Sequence, residues 1–237
     1  MSIFHNLTFV LTLFLAGTMQ AQTTDGSRLV TNLEAGKTQT VVAYGTSLTA
    51  GGAWVGQLQK ELNTHYPGKA KVINSGGSGK HSTWGLNNLE ARVIEKKPDT
   101  VFIEFAINDA FLKYETPVKM ARVNLETMLD RILKANPACE IILMVMNPPI
   151  GVHLERRPHI HDYYSMYRDV AMARKLKLID HYPDWDAVLK KGEEAFKQLV
   201  PDGIHPNADG CKTIITPNII KALGLGISPG APAHPAK

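Results

Sequence analysis

"TVVAYGTSLTAGGAWVGQLQKEL", residues 40–62, reads as a strand, a turn and a helix in succession. "TVVAYG" (40–45) is a short, β-branched apolar run closed by glycine, the pattern of a buried strand. In "AWVGQLQKEL" (53–62), Trp54, Leu58 and Leu62 recur at one helical turn and share a face. The intervening "TSLTAGG" has two readings. Ser and Thr after a strand serve as turn or N-cap residues. A hydroxyl held out at a strand end also suits a nucleophile.

The same alternation runs on through the chain. "AKVINSG" (70–76), "DTVFIEFAIND" (99–109), "EIILMVMNPP" (140–149) and "LKLIDHYP" (176–183) read as strands. "TWGLNNLEARVIEK" (83–96), "VKMARVNLETMLDRILKANP" (118–137), "HDYYSMYRDVAMARKLK" (161–177) and "NADGCKTIITPNIIKALG" (207–224) read as helices, with Pro217 expected to kink or interrupt the last. An edge strand is expected around "RLVTNL" (28–33). Five apolar strands separated by helices predict an α/β domain, a parallel sheet covered on both faces in a flavodoxin-like or Rossmann-like order.

A chain of 237 residues holds one sizeable domain, expected over 22–225. "LTFVLTLFLAG" (7–17) is too short for a membrane span and fits the apolar region of a signal peptide covering 1–21, which implies export to the periplasm or medium. "GISPGAPAHPAK" (226–237) is expected to be a disordered tail. The net charge of +4 comes without a dense basic run, so nucleic acid is not an expected partner. Cys139 and Cys211 show no metal-ligand spacing and are read as two buried thiols.

Ligands of open parallel sheets bind outside the carboxyl ends of the strands. Traced to that rim, the strands deliver Ser47, the glycine turn "GGSGK" (76–80), Asn108 with Asp109, and finally Asp202 and His205. Acyl transfer needs this set. A serine hydroxyl requires a base, which His205 supplies because imidazole titrates near neutral pH. Asp202, three residues before it, holds the imidazolium. The N–H groups of Ser47 and Gly79 and the side-chain amide of Asn108 are candidate oxyanion donors. "GGSG" lacks the spacing of dinucleotide and Walker motifs.

At these positions the chain resembles the SGNH hydrolases, or GDSL esterases and lipases, over about residues 39–224. "AYGTSLTAGG", "INSGGSGKHSTWGLNNL", "AIND" and "DGIH" match four family blocks in order. The resemblance implies a flavodoxin-like three-layer α/β/α sandwich with a central five-stranded parallel sheet. It implies Ser47, Asp202 and His205 as catalytic residues, Ser47, Gly79 and Asn108 as the oxyanion hole, and no metal or other cofactor. Two positions depart from the family: Thr46 replaces the usual Asp, and Ala106 the usual Gly.

The segment "NPPIGVHLERRPHIHD" (147–162) is polar and unlike an apolar lid. Its Arg156, Arg157 and His159 are candidate contacts to a hydroxyl-rich or anionic substrate, or else a solvated basic loop. The expected substrate is a short acyl ester, acetyl above all, on a small molecule or polysaccharide. Three alternatives stand beside it: a thioesterase or lysophospholipase on the same triad, a non-catalytic carbohydrate-binding domain, and a metallohydrolase using "HIHD" (159–162).

Overall fold

A computed structural model describes residues 26–226. The expected signal segment (1–21) and the tail after Gly226 lie outside the described residues. Within them, β1 (Gln39–Gly45), β2 (Ala70–Asn74), β3 (Thr100–Glu104), β4 (Glu140–Val145) and β5 (Lys177–Asp180) form one sheet in the order β2-β1-β3-β4-β5. Every pairing is parallel, and the order is the flavodoxin-like one. β3 and β4 are buried at every position, as strands covered on both faces must be.

The helices used below are α1 (Arg28–Glu34), α2 (Ala53–His65), α3 (Ser82–Asn87), α4 (Val118–Ala135), α5 (Ile160–Ala173) and α6 (Thr216–Leu223). Side-chain alternation sorts them into two layers. Phe102 of β3 meets Trp54 of α2, with ring centroids 5.9 Å apart. Tyr44 of β1 is in register with Ile103, not Phe102, so it points to the other face. There its hydroxyl donates to the Gly85 carbonyl of α3 at 2.6 Å. α2 and α6 pack together on the first face, and α3, α4 and α5 on the second.

The structure corrects several expected elements. "RLVTNL" is helix α1, not an edge strand. Leu29, Val30 and Leu33 are its buried residues, and Ser27 caps it by accepting from the Leu29 N–H. Glu140, at the start of β4, accepts from the Ser27 hydroxyl (2.5 Å) and the Leu29 N–H (2.9 Å). This anchors the helix end to the sheet and supplies the negative charge that a helix N-terminus favours. The third strand ends at Glu104 rather than 109, because the Phe105 N–H leaves the ladder for the Tyr167 hydroxyl of α5 (2.9 Å), and Ala106–Asp109 form a helical turn. The helix expected over 83–96 is broken at Asn88 and Val93. Asn88 bonds the Trp84 carbonyl with its side chain, an alternative to helix propagation. The expected interruption of the last helix near Pro217 is present: a π-helical turn, Cys211–Ile215, separates the start of the segment from α6, which has Pro217 in its first turn. Cys139 and Cys211 are both buried and free. Among the described residues, no helix is long and apolar enough to cross a membrane.

Candidate active site

β1 ends on Gly45, where a Cβ would overlap both the side chain and the backbone carbonyl of Glu104 on the neighbouring strand. Glycine therefore lets a carboxylate sit beneath the turn that carries Ser47. Glu104 is 1% exposed. Its Oε1 accepts from the Thr46 N–H (2.6 Å) and the Thr49 hydroxyl (2.6 Å), and its Oε2 from the Thr46 hydroxyl (3.0 Å). Thr46 also caps the following turn by accepting from the Leu48 N–H at 3.1 Å. Thr46 is thus a donor to a carboxylate reaching in from the next strand, at the position where the family blocks usually have Asp. Burial pushes the Glu104 carboxyl up to about 7 against the pull of the Thr49 and Thr46 hydrogen bonds.

Ser47 stands at the start of the helical turn Ser47–Ala50. Its hydroxyl oxygen is 2.8 Å from His205 Nε2. His205 Nδ1 is 2.6 Å from Asp202 Oδ2, and a carboxylate there keeps the proton on Nδ1, leaving Nε2 free to accept. Asp202 Oδ1 takes the backbone N–H groups of Ile204 (3.0 Å) and His205 (2.8 Å), which closes the "DGIH" turn around the carboxylate. Burial raises the Asp202 carboxyl, but the hydrogen bonds from His205 and Ile204 together outweigh it, and the group lies below its ordinary value.

Gly79 has φ +64°, a left-handed conformation that favours glycine. Its carbonyl accepts from the Tyr114 hydroxyl at 2.6 Å, and among the described residues its N–H has no acceptor. Among the described residues the Ser47 N–H likewise has no acceptor. Asn108 sits on the turn after β3, donating from Nδ2 to the Lys80 carbonyl (2.9 Å) and accepting at Oδ1 from Arg157 Nη2 (3.2 Å). One Nδ2 hydrogen remains. Its neighbour Asp109 is buried, accepts from the Ser82 N–H at 2.7 Å, and is pushed up to about 7 by burial.

Ser47, Gly79, Asn108 and His205 border a cleft of about 430 Å³. Phe111 and Tyr114 form one part of its lining, His153 and Arg156 another. A smaller cavity of about 200 Å³, lined by Leu48, Gly52 and Pro206, also reaches Ser47 and His205. The fold therefore brings Ser47, Gly79, Asn108, Asp202 and His205 together. Arg156 and Arg157 also line the cleft. His159 does not: it is exposed, with Nδ1 3.9 Å from Asp162. Arg157 is not part of a solvated loop but is buried. Among the described residues, no group of three His, Cys, Asp or Glu is placed to hold a metal ion. Phe111, Tyr114 and the Thr46–Thr49–Glu104 cluster were not singled out in the sequence. A signal for the last was present, since Glu104 is the lone charge within "TVFIEF".

The profile of the GDSL-like Lipase/Acylhydrolase family matches residues 43–212. Esterase TesA of Pseudomonas aeruginosa is 30% identical over 176 residues, covering 71% of this chain and 80% of that protein. Thioesterase 1/protease 1/lysophospholipase L1 of Escherichia coli is 26% identical, covering 72% and 76%. Among solved structures, Axe2, an acetylxylan esterase from Geobacillus stearothermophilus, superposes with a TM-score of 0.67 at 22% identity, covering 79% of this chain and 95% of Axe2. A putative GDSL-like lipase from Parabacteroides merdae gives 0.71 at 18% identity, covering 80% and 97%.

Proposed function

Because the chain belongs to the GDSL-like lipase/acylhydrolase family and is an ester hydrolase of that family, we propose that it cleaves short acyl esters, above all acetyl esters on carbohydrate, with Ser47 as nucleophile. The observation that carries the proposal is the relay from Ser47 Oγ through His205 to Asp202, at 2.8 and 2.6 Å, opening on the cleft. His205 Nε2 takes the Ser47 proton as the oxygen attacks the ester carbonyl. The oxyanion that forms receives the N–H groups of Ser47 and Gly79 and the remaining Nδ2 hydrogen of Asn108. His205 returns the proton to the leaving alcohol, and a water molecule, activated by the same imidazole, releases the acid from the acyl-enzyme. The apolar run at residues 7–17 supports export of the enzyme, which suits a polysaccharide substrate.

Ser47→Ala should lose kcat by at least about 10³-fold with an unchanged circular dichroism spectrum. Acid release from acetylated polysaccharides and short aryl esters measures it, and a variant that keeps most of its activity refutes the assignment.

A second reading, a thioesterase or lysophospholipase, has its own support. Leu112, Val152 and Leu154 are among the exposed large apolar side chains, and they lie on the segments that carry the cleft residues Phe111, His153 and Arg156. The Leu112 N–H donates to the Arg156 carbonyl at 3.1 Å, which ties the two segments together. Rates measured from acetyl to decanoyl esters separate the readings: a steady rise with chain length favours the second.

A further inference from the structure

Arg157 is a buried cation with no carboxylate partner among the described residues. Its side chain is 4% exposed. The guanidinium donates through Nε to the Ile107 carbonyl (2.7 Å), through Nη1 to the His153 carbonyl (3.2 Å) and through Nη2 to Asn108 Oδ1 (3.2 Å). Its Cζ lies 4.6 Å from the centroid of the Phe111 ring. All of these partners are neutral. Desolvation of an unpaired ion is costly, and a neutral side chain of similar size would pack here at less expense. Burial indeed lowers the tendency of this group to stay charged, yet a guanidinium remains a cation at any working pH.

Its position gives the charge a use. Asn108 is held at both ends: Nδ2 by the Lys80 carbonyl and Oδ1 by Arg157. With the amide plane so fixed, the second Nδ2 hydrogen has one direction, and Asn108 borders the cleft beside Ser47. A cation donating to the amide oxygen also draws electron density from the nitrogen, making its N–H groups stronger donors. We propose that Arg157 is the positioning residue of the oxyanion site, acting through Asn108 by orienting and polarising its amide. The inference rests on the assignment of Asn108 as an oxyanion donor. An aimed and polarised N–H interacts more strongly with the developing oxyanion than with a neutral ester, so the effect of Arg157 belongs to kcat rather than KM.

The test is a double-mutant cycle on a short aryl acetate, using Arg157→Gln, Asn108→Ala and the pair. Asn108→Ala alone should lower kcat by about 10²–10³-fold. Arg157→Gln alone should lower kcat by about 10–100-fold with KM changed less than about 3-fold, and should cost less than about 3-fold more once Asn108 is gone. Arg157→Lys keeps the stem and the charge without the fork, and should fall between wild type and Arg157→Gln. If the Gln variant does not fold, the same cycle is run with Lys, and the loss must again require Asn108. Equal losses in both backgrounds, or a raised KM at constant kcat, overturn the inference, the latter marking Arg157 as a substrate contact. A silent Asn108→Ala instead removes the oxyanion assignment itself, whatever Arg157 does.

Discussion

Thr46 changes the surroundings of Ser47 without touching the Ser47 hydroxyl. Its N–H and hydroxyl both donate to Glu104, and Thr49 adds a third donor. An Asp at position 46 would remove the donating hydroxyl and place two carboxylates in contact in a buried site. Thr46→Asp should therefore destabilise the fold by about 3 kcal/mol, and Glu104→Gln in the same chain should restore most of the loss. Chemical denaturation of the two single variants and the double variant measures the coupling; purely additive effects would show that the two side chains do not share one site. Ser47 and the "DGIH" pair were legible in the sequence because a relay of hydroxyl, imidazole and carboxylate needs particular residue types at strand ends. Glu104 was not assigned, because its three donors lie 55 and 58 residues away along the chain. Arg157 reads in the sequence as a substrate contact or as part of a solvated basic loop, because nothing in "ERRPHIH" marks the second arginine as the buried one.

At the scale of elements, hydrophobic period identified the strands and the long helices, and it failed where side chains take over backbone bonding. β3 is shorter than its apolar run because the Tyr167 hydroxyl takes the Phe105 N–H, which frees the chain to turn and present Asn108. Tyr167→Phe leaves that N–H buried and unpaired and should cost about 1–3 kcal/mol. If Phe105 then rejoins the sheet, kcat should fall with stability, since the Ala106–Asp109 turn would be displaced. An unchanged unfolding midpoint would mean that the hydroxyl is dispensable. Gly45 makes the matching constraint on β1: Gly45→Ala drives a methyl into the Glu104 side chain and backbone carbonyl, and should cost about 3 kcal/mol or more. α1 escaped a period-based reading because seven residues are too few to separate a helix stripe from an edge strand. Its Ser27 cap and the Glu140 anchor, 113 residues apart, settle the matter.

Across the whole molecule, buried titratable groups pull stability in opposite directions. Glu104 and Asp109 are both pushed up to about 7 from ordinary values of 4.5 and 3.8. A raised carboxyl favours the fold while protonated, so its contribution is full below about pH 4 and is lost as pH rises to about 7. His181 is pushed down to about 4 by burial, so it favours the fold above pH 6.5 and withdraws that support as pH falls. Glu104→Gln removes one member of this balance. Relative to wild type, the variant should gain up to ~3 kcal/mol between pH 4.5 and 8, measured by denaturation at each pH. A constant difference would mean that Glu104 keeps one protonation state throughout. By itself the sequence determined the α/β class, the strands of the parallel sheet and the chain order of Ser47, Asn108, Asp202 and His205, because periodicity and turn chemistry act over a few residues. The tertiary structure alone decided that α1 is a helix, that Glu104 lies under Ser47, and that Arg157 stands behind Asn108 across 49 residues. Those contacts exist only once sheet register and helix packing have brought distant segments together, and burial, which gives each charge its effect, is a property of the assembled core.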